Sequence, residues 1–337
     1  MLENADHSRM EPKIEPASVP ASHWPFNWVD REFCFLTTFI RNRSLLEIKD
    51  AIIKNLSELE RKNKQNYIST IHYYNTYKMW GEYYPESGNF GLAENRAQAL
   101  WEHRQDFEWL YGRLYDYRSK KVLTNILSYW LSSEFAYTSD ILDKYFHQYF
   151  DYDIVTCNAG EVFVDLGAFT GDTMMDYMKM FGAHCYKRYY CYEIIPESIA
   201  AIKKNIEKFG LKNIVVREKG ASDREEVLYV SRNGVPSVSR LVESGELAIQ
   251  TVAIDDDIDE PVTFIKMDIE GGEEQALMGC RNKIRESHPK LALSVYHNHK
   301  DIWKLARMLD EMDPTYRFYL RYYGNPLLPT EYVLYAI

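Results

Sequence analysis

From residue 161 to the C-terminus, short apolar runs alternate with longer amphipathic ones, and this alternation constrains the fold more than any other feature. VFVDLG (162–167), RYYCYE (188–193), NIVVREKGA (213–221), VTFIKMDIE (262–270) and KLALSVYH (290–297) read as five strands. Near-continuous apolar strands of this kind are covered on both faces, as in parallel sheets. Helical patterns occupy 170–181, 196–210, 272–286 and 301–312, with Pro196 in a first turn and Gly210 as a stop. Strands joined by helical crossovers imply a doubly wound, mostly parallel α/β sheet. YRFYLRYY (316–323) and EYVLYAI (331–337), separated only by a Gly/Pro loop, imply an antiparallel C-terminal edge. EVLYVS (226–231) and LAIQTVAI (247–254) are additional extended pieces.

Upstream of residue 150 the pattern is helical. Three regions are expected: a disordered polar tail over 1–24, a helical N-terminal domain over 25–150 and the α/β domain over 151–337. In 44–62, Leu45, Leu46, Ile48, Ile52, Ile53, Leu56 and Leu59 recur at three and four, one face of a helix. YYPESGNFG (83–91) breaks the pattern. One long helix is expected over 92–116 and another from Ser119, as N-cap, to 135. The aromatics Trp101, Trp109, Tyr111, Tyr115, Tyr117, Tyr129 and Trp130 are expected to serve helix packing for the most part, rather than to wall a sugar site.

Composition narrows the function. The 337 residues carry a net charge of −10, which disfavours a general nucleic-acid binder. The five cysteines are scattered without a C-x-x-C pair, so neither a disulfide framework nor a zinc ribbon is indicated, and a reducing cytoplasm fits. Cys157, Cys185 and Cys191 are expected to be buried thiols, and no secretory signal or membrane span is expected.

The turn after the first strand, Gly167-Ala168-Phe169-Thr170-Gly171, departs from both common phosphate loops. Phe169 stands where a dinucleotide loop places its middle glycine, and Asp172-Thr173 follows where a P-loop needs Lys-Ser/Thr. An acid at that point repels phosphate. A ligand with a ribose and a cationic amine suits the loop better. Asp165 is expected to meet the amine directly or through water, and Glu193, at the end of the second strand, to accept hydrogen bonds from ribose hydroxyls. S-adenosylmethionine has both groups.

These features resemble the class I methyltransferases, with their Rossmann-like fold. FIKMDIEGGEEQALMG (264–279), preceded by TVAIDDDI (251–258) and followed by PKLALSVYHNHKDIWKLARML (289–309), resembles the FkbM family in order and spacing over about 145–337. The resemblance implies an S-adenosylmethionine-dependent methyltransferase, usually acting on oxygen, with a sugar, glycan or natural product as acceptor. By position it implies cofactor contacts from Asp165, Gly167, Ala168, Phe169, Gly171, Thr173, Glu193, Ser222 and Asp223. A protein or nucleic-acid methyltransferase and a non-catalytic cofactor binder or scaffold are the alternatives. A homodimer is admitted, and the N-terminal helices are expected to cover the acceptor side or support such a dimer.

Methylating a hydroxyl requires loss of its proton. His297 is the expected base because an unperturbed imidazole titrates near neutrality. Asp268 is a second catalytic candidate, and Glu270, Asp301 and Arg321 are candidate acceptor contacts, with Glu331 beside them. Asp268 and Glu270 share a face only if the strand continues past them. They admit Mg2+, which is not favoured, so no metal site is assigned. His299 is expected at the surface, and AIDDDIDE (253–260) as a solvated acidic turn.

Overall fold

The computed structural model describes residues 27–232, 239–242 and 247–337. The expected disordered tail over 1–24 lies outside the described residues.

Seven helices come first: α1 (Trp28–Arg41), α2 (Leu45–Lys62), α3 (Lys64–Tyr77), α4 (Gly91–Glu102), α5 (Arg104–Arg113), α6 (Tyr117–Ser132) and α7 (Phe135–Ile141). α2 begins with a capping box: Glu47 N donates to Ser44 Oγ at 3.3 Å, and Ser44 N donates to the Glu47 carboxylate at 2.8 Å. Its buried stripe is Ile48, Ile52 and Leu56, whereas Leu45 and Leu46 are exposed, so the apolar face is narrower than the spacing suggests. The single helix expected over 92–116 breaks at His103 into α4 and α5. The N-cap of α6 is Asp116, which accepts from Ser119 N at 2.7 Å; Ser119 sits inside the first turn and spends its hydroxyl on Leu320 N. Of the seven aromatics, Tyr129 and Trp130 are buried and Trp109 and Tyr111 pack against the core, but Trp101, Tyr115 and Tyr117 are exposed.

The second half comprises β1 (Val162–Leu166), α8 (Asp172–Phe181), β2 (Arg188–Tyr192), α9 (Pro196–Phe209), β3 (Ile214–Arg217), β4 (Gly220–Ala221), β5 (Glu226–Arg232), β6 (Ser239–Val242) and β7 (Leu247–Val252). It continues with α10 (Ile254–Asp257), β8 (Phe264–Met267), α11 (Glu273–Met278), α12 (Arg281–Ser287), β9 (Lys290–Ser294), α13 (Asp301–Met312), β10 (Phe318–Tyr322) and β11 (Tyr332–Ala336). Seven strands form one sheet in the order β10-β11-β9-β8-β1-β2-β3. β3, β2, β1, β8 and β9 are mutually parallel, and β11 runs antiparallel to both β9 and β10. The doubly wound sheet with an antiparallel C-terminal edge is therefore present. The segment 213–221 is not one strand. It turns at Lys219, and its last two residues enter a second sheet, β4-β7-β5-β6, which the sequence shows only as loose extended pieces.

β1 is buried on both sides. Val162, Val164 and Leu166 face the helical core, while Phe163 stacks on Tyr189 of β2 at 4.5 Å between ring centroids. The N-terminal helices meet the β10 edge. Tyr115 N donates to Phe318 O, and Asp143 N to Tyr322 O, each at 2.8 Å, so two short segments extend the sheet. His299 is not a surface residue: its ring lies 4.7 Å from Trp130 and 5.9 Å from Trp80, joining the loop after β9 to the helices. Nor is 253–260 a solvated turn. Asp257 pairs with Arg217 at 2.8 Å and Lys219 at 2.9 Å and accepts from the Tyr192 hydroxyl at 2.7 Å. Cys191 and Cys280 are buried, but Cys157 and Cys185 are only partly so. No described helix is long and apolar enough to cross a membrane.

Candidate active site

Chain order reverses beside β1: the sheet grows outward to β2 and β3, then restarts at β8 on the other flank. Such a switch point opens a crevice at the carboxyl ends of the strands. A cavity of about 760 Å³ lies there, bordered by the turn after β1, the end of β2, β4, the loop after β8, and Tyr149, Tyr296 and Glu331. The volume falls within the usual range for a small-molecule site.

The turn after β1 is drawn tight by contact with its neighbour strand. Gly167 has φ +78°, and a Cβ there would lie 1.9 Å from Asp268 O. Gly171, φ +80°, begins α8 with Asp172 as its first residue. Four non-glycine residues lining the cavity also have left-handed φ: Tyr149 (70°), Phe169 (45°), Glu270 (60°) and Glu331 (61°). Strain of this kind costs of order 1–3 kcal/mol per residue and clusters at functional sites.

Gly167, Phe169, Thr173, Glu193, Ser222 and Asp223 all line the cavity. Glu193 is buried at the tip of β2, where its Oε1 accepts from Ile194 N at 2.7 Å and Ile195 N at 2.8 Å. Burial pushes its carboxyl pKa up against these bonds. Ala168 is buried beneath the turn. Asp165 is not at the cavity wall. Its carboxylate is fully buried, with Oδ1 3.0 Å from Lys266 Nζ and Oδ2 accepting from the Tyr189 hydroxyl at 3.0 Å. Lys266 also donates to Gly167 O at 2.7 Å, so this buried pair braces the turn. The amine contact expected of Asp165 is thereby corrected: its partner is internal.

At the other end of the cavity, β8 ends at Met267 and Glu270 is turned back by its left-handed backbone. This turn, not strand alternation, brings Asp268 and Glu270 together at His297. His297 Nε2 lies 3.4 Å from Asp268 Oδ1 and 3.7 Å from Glu270 Oε2, and Nδ1 lies 2.8 Å from Glu273 Oε1. Glu273 is itself fixed, accepting from Ile269 N at 3.0 Å. Burial lowers the imidazole pKa, but Glu273, Asp268 and Glu270 outweigh it and push it up to about 10. An imidazole so held keeps its proton at neutral pH, which argues against its expected role as base. The Glu270 pKa is raised as well, pushed up to about 7 by burial and by Asp268 despite His297.

Two further expectations are corrected. Arg321 does not reach the cavity; it is buried on Asp151 and Asp116, each at 2.7 Å, with Ser119 at 2.9 Å. Asp301 is buried at the start of α13, where it accepts from Asn298 N at 2.8 Å. Sequence reasoning missed Tyr149, which donates to Asp268 Oδ2 at 2.7 Å, and Gln148, which donates to Glu331 Oε2 at 2.8 Å. It also missed Tyr296, Lys266 and Glu273. The KMDIEGGE segment contains two of these, and the remainder carry no local signature.

A mostly parallel sheet closed by an antiparallel β11 between β9 and β10, with its glycine turn and acid-tipped β2 at the switch point, defines the Rossmann-like methyltransferase class. Residues 165–326 match the methyltransferase FkbM domain. The structure is similar to that of a methyltransferase FkbM from Methylobacillus flagellatus KT, with TM-score 0.63 and 27% identity over 74% of this chain. The match covers 64% of that protein's chain. An rRNA methylase from Streptococcus thermophilus (TM-score 0.37, 12% identity, 53% of this chain and 87% of that one) is a more distant match. So is an Aeropyrum pernix fibrillarin with bound S-adenosyl-L-methionine (0.35, 13%, 53% and 67%). At these values neither bears on activity. No curated protein matches the sequence significantly.

Proposed function

We propose that the chain is an S-adenosylmethionine-dependent methyltransferase acting on a hydroxyl of a sugar, glycan or related polyol. The observation that carries this reading is the pairing of Glu193 with the Gly167 turn across one cavity whose charged lining is mainly acidic. Asp172, Glu193, Asp223, Glu226, Asp268, Glu270 and Glu331 face it, against Lys219, Arg224 and Lys266. Lys219 and Lys266 are already committed to Asp257 and Asp165. Such a lining favours a cationic cofactor and an uncharged polyol and disfavours phosphorylated ligands.

The residues fit S-adenosylmethionine as follows. On this reading Glu193 takes the ribose hydroxyls, the 167–173 turn the amino-acid portion, and Ser222 with Asp223 the adenine. When bound, the cofactor supplies a methyl group on a sulfonium whose sulfur keeps the bonding pair on departure. The remaining task is to align one hydroxyl and take its proton. Tyr149 and Tyr296 converge on Asp268, with Tyr296 Oη 3.5 Å from Oδ1, and orient that end of the cavity. Protonated His297 steadies the carboxylates, and Glu270 or Glu331 receives the hydroxyl proton. An N-terminal contribution to acceptor choice is part of the reading, because Trp80 Nε1 donates to Tyr296 O at 2.9 Å.

The test is calorimetric binding of S-adenosylmethionine and S-adenosylhomocysteine, with NAD as control. Binding in the micromolar range that Glu193→Ala weakens by about 30-fold or more is expected, as for a lost charge-assisted hydrogen-bond pair. A folded protein that ignores both ligands, or prefers NAD, refutes the proposal.

A further inference from the structure

We propose that Asp268, Glu270 and His297 hold a divalent transition-metal ion at the acceptor end of the cavity. One ligand atom from each side chain lies within 4.8 Å of the others. Ligands on a common ion at about 2.0–2.2 Å stand roughly 3 Å apart, so the 3.4 and 3.7 Å separations need only a small closure.

The second observation is the imidazole itself. His297 is fully buried, and its Nε2 has no hydrogen-bond partner although it faces both carboxylates. Its other nitrogen, Nδ1, lies 2.8 Å from Glu273 Oε1; a proton kept on that side leaves Nε2 to face Asp268 and Glu270 as a lone-pair donor once its own proton is displaced. Carboxylate-oriented histidines of this geometry are the usual supports of bound metals. A proton and a metal ion compete for that one lone pair. The Tyr149 hydroxyl fixes Asp268, and a left-handed backbone places Glu270, so each of the three donors is held by a neighbour or by the main chain.

One imidazole with two carboxylates favours a first-row transition ion, for which Mn2+ serves as the paramagnetic probe, over Mg2+ or Ca2+, which prefer oxygen alone. Three protein donors leave positions open for water or for the oxygens of a vicinal diol. An acceptor hydroxyl bound there loses its proton more readily. With Glu270 engaged as a ligand, Glu331 across the cavity is the group left to receive that proton. This use of the ion rests on the methyltransferase reading, whereas the existence of the site does not.

The experiment uses the full chain, stripped with EDTA and titrated with Mn2+, following the free-ion signal by electron paramagnetic resonance. One ion per chain is expected. Asp268→Asn should weaken binding by about 30-fold or more, and Glu273→Gln, which of the three donors contacts only the imidazole, by about 10–100-fold. Glu273 is thus a positioning residue, and a merely acidic patch would not register its loss. Circular dichroism confirms folding, and S-adenosylhomocysteine binding is measured on the same stripped sample. Mn2+ binding without S-adenosylhomocysteine binding sustains the metal site and removes the methyltransferase reading. A folded protein that takes up no Mn2+ at about 1 mM, or binds it unchanged in Glu273→Gln, overturns the metal site whatever the cofactor result.

Discussion

Lys266→Met tests whether the turn that shapes the cofactor cavity is held by a buried charge pair. Lys266 and Asp165 have side chains only 3% and 0% exposed and lie 3.0 Å apart, so solvent screening does little to their interaction. Burial opposes the lysine charge, but Asp165 and then Asp268 outweigh it, and its pKa is raised. Methionine preserves most of the volume while removing the charge. It leaves Asp165 buried with the Tyr189 hydroxyl and leaves Gly167 O without its donor. Removing one partner of a buried pair costs about 3–5 kcal/mol. Asp165→Asn should cost a similar amount by stranding the lysine. In the double variant neither charge is stranded, so the loss should fall short of the sum by about 2 kcal/mol or more. Urea unfolding of the four proteins measures the cycle. S-adenosylhomocysteine calorimetry on Lys266→Met gives a second readout, with weaker binding expected because the lysine braces the Gly167 turn. Additivity within about 0.5 kcal/mol would show that the two residues act independently and would refute the bracing argument.

Gly167→Ala should abolish cofactor binding, since its Cβ would stand 1.9 Å from Asp268 O and its φ of +78° is strained for alanine by about 1–2 kcal/mol; an alanine variant that binds within threefold of wild type and unfolds at the same urea concentration would count against it. Around Asp116, burial raises the carboxyl pKa, but Arg321 and Ser119 outweigh it and hold the group below 3.8. The stability it contributes is therefore complete above about pH 4 and is lost as pH falls through the still lower folded value. Asp116→Asn, which keeps an N-cap, should cost about 1.5–3 kcal/mol at pH 6 and progressively less below pH 4. A pH-independent difference between the two proteins would show that the Arg321 contact contributes no ionic stabilisation.

The strand–helix alternation, the antiparallel ending and the acid at the tip of β2 are legible in the sequence because each is a local pattern: period, length and a terminal residue. The His297 end of the cavity is not, because its geometry is made by backbone turns and distant neighbours. Asp268 and Glu270 meet at His297 only because Glu270 adopts a left-handed conformation. The titration behaviour of His297 depends on Glu273, visible in sequence only as one more acid in a helix. Asp165 and Arg321 were misplaced for the same reason: each is a charged residue on a strand whose counter-charge comes from another element. Ser119 has the residue type of a cap, but its hydroxyl accepts from Leu320 N and ties β10 to α6. The second sheet escaped notice because its strands are short and β4 has only two residues.

The junction at β10 bears on how the chain could be divided. An outer strand presents unpaired backbone groups on which foreign chains can assemble. Here Tyr115 and Asp143, from segments flanking α6 and α7, donate to that strand, and Arg321 on the same strand is neutralised by Asp116 and Asp151. The loop before β1 also delivers Gln148 and Tyr149 into the cavity. The α/β half is therefore not a transplantable module. Excised at residue 150, it would carry away a raw sheet border, a guanidinium short of one of its two carboxylates and a ligand cavity missing two of its side chains. Any redesign of this cavity has to treat the helices and the sheet as one unit of inheritance.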